Sequence, residues 1–253
     1  MKVALVLTGY LRNWDFNYPY IKKEILDKYN PDVYITSYTY SRHYWHSDPE
    51  FVDISKAIEI YKPKNYIFRE VETCPPFNFK ENGRERIGRE YSIQQLQGWH
   101  TNYLALSLFN PEDYDIIIKL RTDIALKNFN INSDFELVVP GWKVHPGPCQ
   151  PSEALVDYFA YGNSECMKKY FELHSKMQEM YDKDIADISL GETLLKDYVD
   201  HFIGIERIRF DLETDWNLRG EIWETDKVQL YRENAPEWVC CYNSNHWDGC
   251  VDP

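Results

Sequence analysis

The sequence has no apolar run approaching the roughly 18 to 20 residues that span a bilayer. Its opening, Met1-Lys2-Val3-Ala4-Leu5-Val6-Leu7-Thr8-Gly9, is too short in apolar residues for a secretory signal, and Arg12, Asn13 and Asp15 stand where small cleavage-site residues would be needed. A soluble, cytoplasmic chain without a membrane span is expected. Cysteine is sparse and scattered: Cys74, Cys149, Cys166, Cys240, Cys241 and Cys250 show no C-x-x-C spacing, which predicts free thiols. The adjacency of Cys240 and Cys241 makes either a bridge or a metal site within the late trio awkward. A basic run is also missing, and with 28 Lys and Arg against 41 Asp and Glu the net charge is -13, which argues against a nucleic-acid partner. The turn Thr8-Gly9-Tyr10-Leu11-Arg12-Asn13 lacks G-x-G-x-x-G, the pattern that lets a backbone approach a dinucleotide, so a Rossmann dehydrogenase or methyltransferase is disfavoured. There is no repeat, low-complexity tract or linker, and 253 residues suit a single α/β domain.

What the chain does have is aromatic weight: 16% of its residues, with 20 Tyr and 8 Trp. Most such rings fill cores, although their flat faces also suit sugar rings. The order of elements is legible. Residues 3–8 read as a buried strand, 18–29 as a helix stopped by Pro31, and Asp32 to Thr36 as a second buried strand. This β-α-β opening implies a right-handed crossover and a parallel sheet, whose ligands bind at the strands' carboxyl ends. Thr8 to Asn13 and Thr36 to Arg42 fall there. A helix is expected over 54–61, a strand over 65–69 and a long loop from Cys74 to Gly88. A helix over 90–109 follows, then strands at 115–120 and 135–139, a Gly/Pro loop over 140–151, and helices over 164–181 and 188–199.

The strand Asp115-Ile116-Ile117-Ile118-Lys119-Leu120 delivers Arg121-Thr122-Asp123 to its carboxyl end. A carboxylate there can hold Mg²⁺ or Mn²⁺ that a diphosphate completes; equally, Asp123 can cap the next element while Arg121 pairs with a surface acid.

Four segments carry a resemblance. Leu7-Thr8-Gly9-Tyr10-Leu11-Arg12 resembles the first strand and turn of bacterial and viral sugar transferases, and the run from Tyr114 to Asp123 resembles their strand leading into the DXD motif, with Arg121 in place of the first Asp. The segment from Asp157 through Tyr158, Phe159 and Tyr161 to Glu165 is similar to the stretch after their acceptor loop, and Gly191-Glu192-Thr193-Leu194-Leu195 to a later helix that brings an acid to the pocket. Over residues 1–200 the chain thus resembles nucleotide-sugar glycosyltransferases of the GT-A type. The resemblance implies a single GT-A-like α/β domain with a mostly parallel sheet flanked by helices, its Rossmann-like nucleotide-binding half at 1–125 and its acceptor half at 126–253. It implies a UDP-sugar or GDP-sugar donor held by Thr8, Gly9, Arg12, Thr36, Arg121 and Asp123, a glycan or glycoconjugate acceptor, and Mn²⁺ or Mg²⁺ at Asp123 with His246 as a late ligand. His43 and His46 flank Trp45 near the second strand's end and are read as loop residues that could border the nucleotide.

An inverting transfer needs a carboxylate to take the acceptor's proton. Asp157 is the first candidate, because Tyr158, Phe159 and Tyr161 beside it could stack on an acceptor sugar; Glu192 is the second. Each also reads as a structural acid, Asp157 a cap and Glu192 a first-turn residue favoured by the helix dipole. A metal-facing Asp123 is expected to make few packing contacts, so that its loss would spare the fold. A glycoside hydrolase working through Asp157 and Glu192, or a noncatalytic carbohydrate-binding protein, are the competing readings.

Overall fold

Two apolar runs without polar alternation, Val3–Thr8 and Ile116–Leu120, are buried along their whole length, as strands covered on both faces must be. The computed structural model describes residues 1–41, 49–70, 73–80, 88–139, 141–142, 154–155, 157–204, 207–210 and 215–218. In chain order its elements begin with β1 (Val3–Thr8), α1 (Trp14–Ile21), a π turn (Lys22–Leu26), α2 (Asp27–Tyr29) and β2 (Asp32–Tyr38). The short pair β3 (Tyr40–Ser41) and β4 (Glu50–Phe51) follows, then α3 (Ile54–Tyr61), β5 (Asn65–Arg69), α4 (Arg89–Leu104), β6 (Ile116–Leu120), β7 (Ile124–Lys127) and β8 (Leu137–Val139). The remainder comprises β9 (Gly141–Trp142), β10 (Ala154–Leu155), β11 (Phe159–Gly162), α5 (Ser164–Phe171), α6 (Leu173–Asp182), α7 (Gly191–Tyr198), β12 (Ile208–Phe210) and β13 (Asp215–Leu218).

The main sheet has seven strands in the order β12-β8-β11-β6-β1-β2-β5. All run the same way except β11, which opposes both neighbours. The α/β class with a mostly parallel central sheet flanked by helices is therefore as expected. Residues alternate faces along β1: Val3, Leu5 and Leu7 join a core with Trp14, Ile21 and Ile25, while Ala4 and Val6 join one with Trp99, Tyr170 and Leu194. No described helix is long and apolar enough to cross a membrane.

The differences from expectation have local causes. The helix expected over 164–181 is broken at Glu172 into α5 and α6. The helix expected over 90–109 ends at Leu104, and its inward side is not purely apolar: Ser92, Thr101 and Asn102 are buried beside Leu96 and Trp99, whereas Tyr103 is turned outward. Strand β11 went unseen because Phe159-Ala160-Tyr161-Gly162 has no β-branched residue and no polar alternation. Its place depends on Gly162, where a Cβ would lie 2.3 Å from the Glu136 carbonyl oxygen of the approach to β8. Cys74 and Cys166 are free thiols, as expected, while Cys149 and the trio Cys240, Cys241 and Cys250 lie outside the described residues.

Between α4 and α6 the His100 and His174 rings pack with centroids 4.8 Å apart. His100 Nδ1–H donates to the Thr73 carbonyl at 3.0 Å, whereas His174 Nε2 is buried with no hydrogen-bond partner. Burial, reinforced by His100, pushes His174 down from 6.5 to about 4. Neutral imidazole is thus the folded form. The unfolded chain takes up a proton near the ordinary value, so this contribution is complete above pH 6.5 and is lost as pH falls from 6.5 towards about 4. Chemical denaturation at successive pH values should show stability declining through that window, and His174→Phe should flatten the decline; an unchanged slope would assign the acid sensitivity elsewhere.

Candidate functional site

The register aligns the carboxyl ends of three parallel strands. Thr8 pairs with Thr36 across β1 and β2, and Leu7 pairs with Leu120 across β1 and β6. Antiparallel β11 begins where β6 ends, Phe159 opposite Leu120, so the residues just before it arrive at the same edge. Arg121 N–H donates to the Tyr158 carbonyl at 2.9 Å and ties the two segments together.

The turn after β1 closes over this edge. Gly9 has φ 87°, in the left-handed region that a side chain disfavours, and Asn13 has φ 47° at the start of α1. The turn is held from below: the Thr122 hydroxyl lies 3.2 Å from the Tyr10 carbonyl and 3.3 Å from that of Arg12, and Asn17 Nδ2 donates to the Thr122 carbonyl at 2.9 Å. The Tyr10 ring packs on Tyr38 at 4.9 Å and lies 4.9 Å from the Arg12 guanidinium.

Asp123 is 1% exposed. Arg121 grips it in a fork, Nε to Oδ1 at 3.0 Å and Nη2 to Oδ2 at 2.5 Å, and Arg12 Nη1 stands 3.8 Å from Oδ2. The other arm of Arg121 reaches Asp157, with Nη1 3.9 Å from Oδ1, and its guanidinium lies 4.3 Å from the Tyr158 ring centre. Burial acts to release the Arg121 proton, but Asp123 and Asp157 outweigh it and hold the group charged, above its ordinary value. Below them the side chain of Lys119 is fully enclosed and donates to the Asp157 carbonyl. Burial pushes Lys119 down to about 8, against the pull of Asp157 and Asp123 and with a further push from Arg121.

Three buried hydroxyls at this edge have no hydrogen-bond partner: Thr8 and Thr36, side by side on the face covered by α4, and Ser37 on the other face. Leaving a polar group buried and unpaired costs about 1–3 kcal/mol, a penalty that a bound polar ligand would remove. By contrast, the cavity of about 530 Å³ at the amino ends of the strands, lined by Lys2, Asp32, Lys64 and Asp115, has its charges matched. Asp32 accepts from Lys64 at 2.7 Å and from the Tyr114 hydroxyl at 2.8 Å, and Asp115 accepts from the Lys2 amide at 2.6 Å.

Thr8, Gly9, Arg12, Thr36, Arg121, Asp123 and Asp157 thus come together at one edge. Glu192 stands in the first turn of α7, a helix start set against α4, since a Cβ on Gly191 would lie 2.5 Å from Gln95 Oε1; the Glu192 side chain is outside the described set. His246, His43 and His46 also lie outside it. Phe159 and Tyr161, expected beside an acceptor, are 1% and 3% exposed and fill the core with Phe129; Tyr158 instead packs under Arg121. Lys119 escaped notice in the sequence, although a lone lysine inside an apolar strand run was its signal.

The donor set does not suit Mn²⁺ or Mg²⁺. These cations need carboxylate oxygens turned to the metal, and both oxygens of Asp123 accept from Arg121. Among the described residues no three His, Cys, Asp or Glu side chains group as metal ligands.

No protein-family pattern and no curated protein sequence matches the chain. Among solved structures, core-mannan synthase A of Aspergillus fumigatus, in its Mn/GDP form, superimposes with a TM-score of 0.49 and 12% identity, over 86% of this chain and 74% of that one. The functional reading therefore rests on the residues of this chain.

Asp123 has more partners than a metal-facing strand-end acid was expected to have. Removing its charge leaves Arg121 and Arg12 beside an unmatched buried site, so Asp123→Ala should lower folding stability by about 3–5 kcal/mol. Urea unfolding of the variant against the parent reads this directly, and a loss below about 1 kcal/mol, the worth of an exposed pair, would place Asp123 in solvent instead.

Proposed function

We propose that this chain is a glycosyltransferase that takes a sugar from a UDP-sugar or GDP-sugar and passes it to a hydroxyl of a glycan or glycoconjugate. The observation that carries the reading is the charge at the strand ends. Arg12, Lys119 and Arg121 gather around Asp123 and Asp157, three cationic side chains against two carboxylates, in a protein whose net charge is -13. An acidic protein that concentrates cations at the carboxyl edge of a parallel sheet has the electrostatics of an anion site. The unpartnered hydroxyls of Thr8 and Thr36 beside it suit the polar edge of a nucleoside or sugar.

In this reading the guanidiniums of Arg12 and Arg121 neutralise the charge that grows on the diphosphate as the bond to the anomeric carbon breaks. Asp157, 31% exposed at its side chain, accepts the proton of the attacking hydroxyl, and Arg121, 3.9 Å away, orients it. Glu192 is the alternative base. Residues 1–125 supply the donor side and 126–253 the acceptor side; the metal and His246 are implied by the resemblance alone.

Donor binding is tested by thermal shift with UDP, GDP, CDP and TDP, each at 100 times its dissociation constant, where a true ligand adds about 2.7 kcal/mol of stability. Silence from all four would leave the reading without a donor. With transfer established, Asp157→Asn should reduce turnover by roughly 10²- to 10⁴-fold while nucleotide affinity holds, because the amide keeps the shape but cannot take a proton. Near-parental turnover in Asp157→Asn with a dead Glu192→Gln would exchange the two roles.

A further inference from the structure

The structure assigns the task of a divalent cation at this edge to the paired guanidiniums of Arg12 and Arg121, so that the site binds a diphosphate without metal. The inference rests on the anion-site reading above and goes further by specifying what neutralises the phosphates.

The first ground is the state of Asp123. Its oxygens are each engaged by Arg121, at 3.0 and 2.5 Å, with Arg12 at 3.8 Å, and the carboxylate is 2% exposed. A cation seeking that carboxylate would have to displace a forked, charge-assisted pair, the most favourable geometry available between these two side chains. The second ground is the charge count. With Lys119, the cluster holds three cationic side chains against the carboxylates of Asp123 and Asp157, so it carries an excess of positive charge while Lys119 is protonated. A divalent cation would add two more charges to that excess; a diphosphate would discharge it. The third ground is rigidity. Thr122, between Arg121 and Asp123, is tied to the Tyr10 and Arg12 carbonyls, and the Arg121 amide is tied to Tyr158, so the backbone carrying both arginines is fixed; the Arg121 guanidinium is gripped by Asp123 and that of Arg12 lies 4.9 Å from the Tyr10 ring centre.

The test uses the full chain, calorimetry, and inorganic pyrophosphate as the probe, first in EDTA and then in Mn²⁺ or Mg²⁺. Pyrophosphate is expected to bind in EDTA, with affinity changing by less than about threefold on adding metal, and to weaken by at least about tenfold in Arg12→Gln, the loss of about one charge-assisted contact. Since Arg121→Gln alone strips the forked partner from buried Asp123, the double substitution Arg121→Gln with Asp123→Asn, which keeps the hydrogen-bonding groups and removes both charges, is the second variant; it should stay folded by circular dichroism and also weaken binding about tenfold or more. Pyrophosphate binding that requires metal, or is strengthened more than about tenfold by it, would overturn the inference. So would tight Mn²⁺ binding to the ligand-free chain, read by electron paramagnetic resonance, that disappears in Asp123→Asn. If pyrophosphate binds in EDTA but none of UDP, GDP, CDP and TDP competes, the cation-free anion site stands and the sugar-donor reading falls.

Discussion

A carboxylate removed from water must find a matching charge, and Asp123 finds it in the guanidinium two residues back along its own chain. Everything at the candidate site is arranged around that pair. Arg121 can turn onto Asp123 because β6 ends at Leu120 and the chain bends sharply before β7. The same bend presents the Thr122 hydroxyl to the carbonyls of Tyr10 and Arg12, so the turn after β1 is fastened to it. The arm of Arg121 not spent on Asp123 faces Asp157, at the entry to β11. One buried ion pair therefore fixes the mutual position of three segments far apart in sequence. Its value lies in geometry more than in net stability, since a buried pair of this kind gains little over apolar packing yet is costly to break.

The antiparallel strand β11 contributes the second constraint. Inserted between β8 and β6, it runs against them and so starts at the edge where they finish. A parallel strand in that place would have delivered its first residues to the opposite end. Reversal is what sets Asp157 and Tyr158 beside Arg121, and the absence of a side chain at Gly162 is what lets the strand lie close to Glu136 and Leu137. Phe159 and Tyr161 are then committed to the core by alternation and packing.

Helix α4 supplies the third element. Its buried Ser92, Thr101 and Asn102 make a polar underside, and the Tyr38 hydroxyl meets the Thr101 hydroxyl at 2.8 Å. The helix thereby covers the ends of β1 and β2 without making them apolar, and the Thr8 and Thr36 hydroxyls stay buried without partners. A purely structural helix would place apolar side chains there, as Leu96 and Trp99 are further into the core. The combination of fixed cations, unmatched hydroxyls and a partly exposed carboxylate is what the proposed activated-sugar site draws on.

The amino-acid sequence by itself determined the β-α-β opening, the central position of the Ile116-Ile117-Ile118 run, and the arrival of Thr8, Thr36 and Arg121 at one edge. These follow from local rules: continuous apolar strands are buried on both faces, and a short crossover makes them parallel. Residues Asp123 and Asp157 were legible as acids at strand ends. Their environment was not, because whether a carboxylate faces a cation, an arginine or water depends on which side chains meet it from other segments. Only the tertiary structure decided that Arg121 occupies Asp123, that Lys119 lies enclosed beneath Asp157, and that Phe159 and Tyr161 serve the core. The reason is the unpredicted reversal of β11, a choice made by packing between neighbouring strands, since local propensity in its four residues says nothing of strand direction.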